Sequence, residues 1–183
     1  MGRVLESITP EIAEFLAEQP VFFAATAPLS ENGHVNCSPK GLDTFRVLGP
    51  NEVAYLDLTG SGAETIAHLR ENGRLTLMFC AFEGKPNIAR LYGRARALPW
   101  EGPEAAPFRS RFPTFTGARS VVHMTVERVS TSCGYGVPVL RHEADRTQLP
   151  DWAERKGEDG LRAYRREKNA TSIDALPVFG DPA

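Results

Sequence analysis

Leu75 to Phe82 form a nearly continuous apolar run directly behind the pair Asn72-Gly73. The run is too short for a helix and reads as a strand covered on both faces. A chain that carries such a strand is organised around a sheet. Upstream, Val21 to Ala27 is apolar and partly β-branched or aromatic, and Asn32-Gly33 gives a hairpin signal ahead of His34 to Ser38. Phe45 to Leu48 and Val53 to Leu58 flank the turn Gly49-Pro50-Asn51. Downstream, Glu83-Gly84-Lys85-Pro86 leads into a long strand from about Asn87 to Leu98, in which Gly93 marks a bend or a close approach. Ser120 to Ser130 alternates, with Val122, Met124 and Val126 on one face and His123, Thr125 and Glu127 on the other.

Helices punctuate this pattern. Thr9-Pro10-Glu11 supplies an N-cap, a proline at the first helical position and an early acid, and Ile12, Phe15 and Leu16 share one face up to about Gln19. A second helix runs from about Ala63 and stops at Asn72-Gly73, a pair suited to a left-handed cap. Four prolines between Pro99 and Pro113, with Phe108, Phe112 and Phe115, make an excursion of loop and helical turn over 99–118 whose aromatics are expected to pack back on a barrel. Residues 139–183 form a polar tail whose helix is expected from Asp159 or Gly160 to Lys168. The expected fold is mainly β within the α+β class, an antiparallel six-stranded split β-barrel with flanking helices, in a single domain over 1–183.

The net charge of −2 and the absence of any strongly single-signed stretch before Arg162 to Lys168 give no general argument for nucleic acid or an anionic membrane. The N-terminus lacks the apolar core of a signal peptide and no run approaches membrane-spanning length, so a cytoplasmic location is expected. Cys37, Cys80 and Cys133 suit reduced thiols. His34, His68 and His142 show no metal-ligand spacing, so no metal is expected, and nothing resembles a Ser-His-Asp arrangement.

Chemistry concentrates in two stretches. Cys37-Ser38-Pro39-Lys40-Gly41 ends a strand on an amine, and Thr59-Gly60-Ser61-Gly62 opens the second helix with free backbone N–H groups. Together they can cradle a phosphate. Ser61 serves equally as an ordinary N-cap, and Tyr135, between Gly134 and Gly136, either stacks on a ligand or packs on Pro138.

The succession of hairpin, strand ending in Lys40-Gly41-Leu42-Asp43, Thr59 loop, helix ending Leu69-Arg70-Glu71-Asn72, buried strand and Arg90-Leu91-Tyr92-Gly93-Arg94 resembles the pyridoxamine 5'-phosphate oxidase superfamily over Val21 to Leu98. Ser38-Pro39-Lys40-Gly41 and Thr131 to Pro138 resemble a branch of oxidase-related flavoproteins. The resemblance implies FMN bound at the interface of a homodimer, hydride transfer between the flavin and a small molecule, and a flavin contacted by Val35, Asn36, Cys37, Ser38, Lys40, Thr59, Ser61, Gly62, Thr65, Arg90 and Tyr135. Glu64 and Thr65 stand where the biosynthetic oxidases carry an Arg-Lys pair for the phosphate, and Ile88 stands where they carry a glutamine. The substrate-binding Arg-x-His signature is missing, Arg141-His142 being the nearest pair, so pyridoxamine phosphate itself is not the expected substrate. The rival readings are a non-catalytic flavin binder, a cofactor-free interaction protein, and a relative that uses deazaflavin or haem.

Overall fold

The computed structural model describes residues 2–179. Strands β1 (Val4–Leu5), β2 (Phe22–Thr26), β3 (Asn36–Lys40), β4 (Phe45–Gly49), β5 (Glu52–Leu58), β6 (Arg74–Cys80), β7 (Ile88–Pro99) and β8 (Ala118–Ser132) form one antiparallel sheet. Its order is β3-β2-β6-β7-β8-β5-β4, with β1 alongside β8. The expected six-stranded barrel is therefore corrected on two counts. Among the described residues the strands number eight, and the sheet is open, because its end strands β3 and β4 do not pair. Pro39 has no N–H to offer to a ladder, which suits β3 to an edge. Beyond Lys40 the chain turns through Leu42 at φ 60° and is held by Thr44 Oγ1 donating to the Gly41 carbonyl.

The sheet curls over an apolar core in which Phe22, Phe45, Tyr55 and Phe79 meet with ring centroids 4.8 to 5.4 Å apart. Offset and edge-on contacts of this kind add to the burial of the rings themselves. Helix α1 (Pro10–Glu18) caps this core with Ile12 and Leu16, and the Thr9 hydroxyl accepts the Ile12 N–H as the proline signature predicts. Helix α2 (Glu64–Asn72) ends on Gly73 at φ 70°, whose N–H returns to the Leu69 carbonyl. The 99–118 excursion, which includes the short helix α3 (Ala106–Arg109), packs Phe108, Phe112 and Phe115 around Leu56, Leu98 and Val121 as expected.

Three local readings change. The Asn32-Gly33 hairpin is a wide loop, since pairing runs from Phe22↔Lys40 only to Thr26↔Asn36. In the apolar run behind Gly73, Leu75, Leu77 and Phe79 enter the core, whereas Thr76 and Met78 lie half-buried on the opposite face. Helix α4 (Gln148–Lys168) begins well before Asp159 and is kinked at Gly157, φ 63°, with Ala153 and Leu161 buried on either side of the break. Among the described residues no helix is long and apolar enough to cross a membrane.

Candidate functional site

The open seam between β3 and the end of β5 faces the first turn of α2 and encloses a cavity of about 640 Å³. Strand alternation decides which side chains look inward. Along β3, Asn36, Ser38 and Lys40 are partly covered while Cys37 and Pro39 are exposed on the outer face. Along β5, Tyr55 and Asp57 point to the core side, and Asp57 closes the floor of the cavity.

Asp57 bridges the seam. Its Oδ1 lies 3.3 Å from Lys40 Nζ and its Oδ2 accepts Arg119 Nε at 2.7 Å. Burial alone would push the Asp57 carboxyl up; Arg119 and then Lys40 overcome this and hold it below its ordinary value. The same carboxylate outweighs the desolvation of Arg119 and raises that guanidinium further. Tyr55, buried beside them, has its phenol pushed well up, first by burial and then by the Asp57 charge.

Arg119 also ties the floor to the end of α4. Its Nη1 donates to Asn169 Oδ1 at 2.8 Å, and Asn169 Nδ2 donates to the carbonyls of Gly60 and Ser61 at 3.0 and 3.4 Å. In a trans peptide the carbonyl and the next N–H point in opposite directions, so the Ser61 and Gly62 N–H groups turn away from Asn169. They lie where Gly60, Ser61 and Gly62 line the cavity. Thr59 anchors the loop from behind: its hydroxyl donates to the Gly117 carbonyl and accepts Arg165 Nε, each at 2.8 Å.

Of the residues singled out in the sequence, Ser38, Lys40, Ser61, Gly62 and Thr65 line this cavity. Asn36 joins them from within: it accepts from the Ser38 hydroxyl at 2.8 Å and donates to the hydroxyls of Thr65 and Thr26 at 3.0 and 3.2 Å. Thr26 in turn contacts His68 Nδ1 at 2.9 Å, leaving the buried His68 Nε2 without a partner among the described residues. Thr59 is buried behind the loop. Val35, Cys37 and Tyr135 are exposed, and Arg90 donates to the Ser132 hydroxyl on the outer face of the sheet, so these four stand apart from the cavity of their own chain. Sequence reasoning missed Asp57, Arg119, Asn169 and Arg165. An acid inside the apolar strand Val53 to Leu58 was the available signal for the first.

With that geometry in place, comparison with known proteins is informative. The model of the pyridoxamine 5'-phosphate oxidase family matches residues 8–133, well over half of the chain. The chain belongs to this family. Its fold is thus that of the FMN-binding oxidase superfamily, and the matched span contains both cavity stretches. The pyridoxamine 5'-phosphate oxidase family protein ustO of Aspergillus flavus is 40% identical over 191 aligned positions, covering 94% of this chain and 76% of the fungal protein. Among solved structures, HupZ of Group A Streptococcus superposes with a TM-score of 0.52 at 22% identity over 67% of this chain and 91% of its own. A FAD-binding protein from Mesorhizobium loti reaches 0.50 at 14% identity, covering 72% and 96%. At these identities the structural likeness concerns the fold.

Beside this first cavity a second one of about 630 Å³ is lined by Gln19, Phe82, Glu83, Leu140 and Arg141, and shares Pro20, Val21 and His142 with it. Residues 139–146 run over both as an extended strap, held by Leu140 N–H to the Phe82 carbonyl at 3.0 Å and His142 N–H to Glu83 Oε1 at 2.8 Å.

Proposed function

We propose that the chain is a flavin-dependent oxidoreductase that holds FMN in the seam cavity and acts on a small molecule other than pyridoxamine phosphate. The observation that carries this reading is the donor set of the cavity in a chain of this family. Lys40 and Arg119, the hydroxyl-bearing Ser38, Ser61 and Thr65, and the loop Gly60-Ser61-Gly62 with its free N–H groups line one half-open cavity. That set fits a polyhydroxylated, phosphorylated tail, with the apolar Pro20, Val21, Leu56 and Leu58 beside it for a ring.

In this reading Lys40 reaches the anionic end as a mobile ammonium, while Arg119, pinned by Asp57 and Asn169, fixes the charge of the floor. Asn36 orients the Ser38 and Thr65 hydroxyls. The bound flavin would supply hydride chemistry that no side chain here can perform. The adjoining cavity under the strap would take the substrate, and His142, on the boundary of both, would meet it there.

A homodimer belongs to the same proposal. Strand register places Pro39, Phe23, Met78 and Arg90 in one row across the outer face, and Cys37, Ala25, Thr76 and Tyr92 in the next. No described element covers these rows, and a second copy would, bringing Val35, Cys37, Arg90 and Tyr135 toward its neighbour's cavity.

The test is titration of FMN with the purified chain, followed by flavin fluorescence quenching and mass by light scattering. Saturable binding at one flavin per chain in a dimer is expected, and absence of saturable binding refutes the cofactor. Lys40→Ala is expected to weaken FMN about tenfold with the melting temperature nearly unchanged, since the ammonium is partly solvated.

A further inference from the structure

The head of α2 already carries an anion. Glu64, the first residue of the helix, folds back so that its Oε2 accepts the Ala63 N–H at 3.0 Å. Gly62 makes room for it, because a Cβ at that position would lie 2.8 Å from the same oxygen. The carboxylate thus sits where the helix dipole and a free amide attract negative charge.

With Glu64 counted, the charges of the wall balance. Lys40, Arg119 and Arg146 are matched by Asp57, Glu64 and Asp145, three cations against three carboxylates. A phosphate monoester brings close to two further negative charges. To meet the Ala63 N–H and the head of α2 it must displace Glu64, whose carboxylate is partly exposed and has this one hydrogen bond among the described residues. A ligand of the same shape without the phosphate meets no such competitor.

We propose that Glu64 is a specificity-determining residue: an internal anion that competes with the phosphate of a flavin nucleotide for the head of α2, while leaving the unphosphorylated flavin unaffected. The inference rests on the flavin reading above. Chemically it makes the cavity a discriminator of tail charge. FMN binds with the Glu64 side chain swung to solvent, and riboflavin binds with it in place.

The experiment titrates the full chain with FMN and with riboflavin, by quenching of flavin fluorescence, for the wild type, Glu64→Gln and Glu64→Ala. Glu64→Gln keeps the size of the side chain and removes its charge, so FMN is expected to bind about tenfold tighter while riboflavin stays within about twofold. Higher salt shrinks the difference. An unchanged ratio of the two affinities overturns the proposal. So does an equal gain for both ligands, which would mean that Glu64 acts on the cavity as a whole. If none of the three proteins binds either flavin, the flavin reading fails and inorganic phosphate becomes the probe. A phosphate-dependent rise in melting temperature in Glu64→Gln, absent from the wild type, then sustains the role of Glu64, and equal responses overturn it.

Discussion

Asp57→Asn keeps the shape of the side chain at the floor of the cavity and removes its charge. The Asp57 side chain is 1% exposed and its Arg119 partner 4%, so the guanidinium cannot turn to water when its counterion is lost. Stranding a buried charge in this way costs about 3–5 kcal/mol. The Lys40 contact adds at most about 1 kcal/mol, being longer and 23% exposed on the lysine side. Asparagine still presents one carbonyl oxygen to Arg119 Nε, which places the expected loss near the lower bound, about 3 kcal/mol. In a chain of this size that lowers the melting temperature by about 6–12 °C. Guanidinium unfolding at neutral pH measures it, and Arg119→Met in the Asp57→Asn background is expected to recover part of the loss by removing the stranded charge. The pH dependence gives a second reading. The folded carboxyl titrates below its unfolded value of about 3.9, so its contribution is full above that pH. As pH falls through this window the unfolded chain takes up the proton first, and the contribution is lost on reaching the folded value. Asp57→Asn should remove this share of the acid slope. A loss below about 1 kcal/mol, or an unaltered acid slope, would refute the reasoning.

Two other expectations concern the sheet. At Gly93, where the β7–β8 register shifts, an added Cβ would lie 2.0 Å from the Thr125 carbonyl oxygen, so Gly93→Ala should cost about 2–3 kcal/mol in a thermal melt; an unshifted melt would show that the bulge yields. Cys37 and Cys133 are exposed, and Cys80 is buried, burial pushing its thiol up. A dimer formed through the outer face should therefore expose only Cys133 to rapid modification by an aromatic disulfide, with Cys37 appearing on dilution to monomer and Cys80 on unfolding. Two fast thiols in a species of dimer mass would place the interface elsewhere.

Much of the fold could be read locally. The Thr9-Pro10 start, the Gly73 cap and the alternation from Val122 to Glu127 depend on neighbours a few residues away, and each forms as the sequence predicts; towards Ser120 both faces are buried, and after Glu127 the alternation slips by one residue. What could not be read depends on distant pairing. Nothing in the strand patterns says whether β3 and β4 join, and the edge falls where Pro39 lacks a donor. The apolar run behind Gly73 reads as covered twice because hydropathy does not distinguish a core face from a half-buried one, and Met78 lies on the latter. In the site, Lys40, Ser61 and Gly62 were visible from strand-end and helix-start chemistry, and Thr65 only through the family resemblance. Arg119 and Asn169 were not, because they lie 62 and 109 residues from the partners they hold, Asp57 and Gly60, and no periodicity carries that distance.

The attachment of the end of α4 to the Thr59–Ser61 loop has a consequence for biogenesis. A nascent chain that has emerged as far as β8 contains every strand and every residue of the cavity wall up to Arg119. It lacks Arg165 and Asn169, whose donors orient the loop. The donors that fix the loop are therefore among the last residues to leave the ribosome, and the loop can reach its final hydrogen bonds only when synthesis has passed the second half of α4. The wall of the cavity is thereby completed late, after the strands that support it.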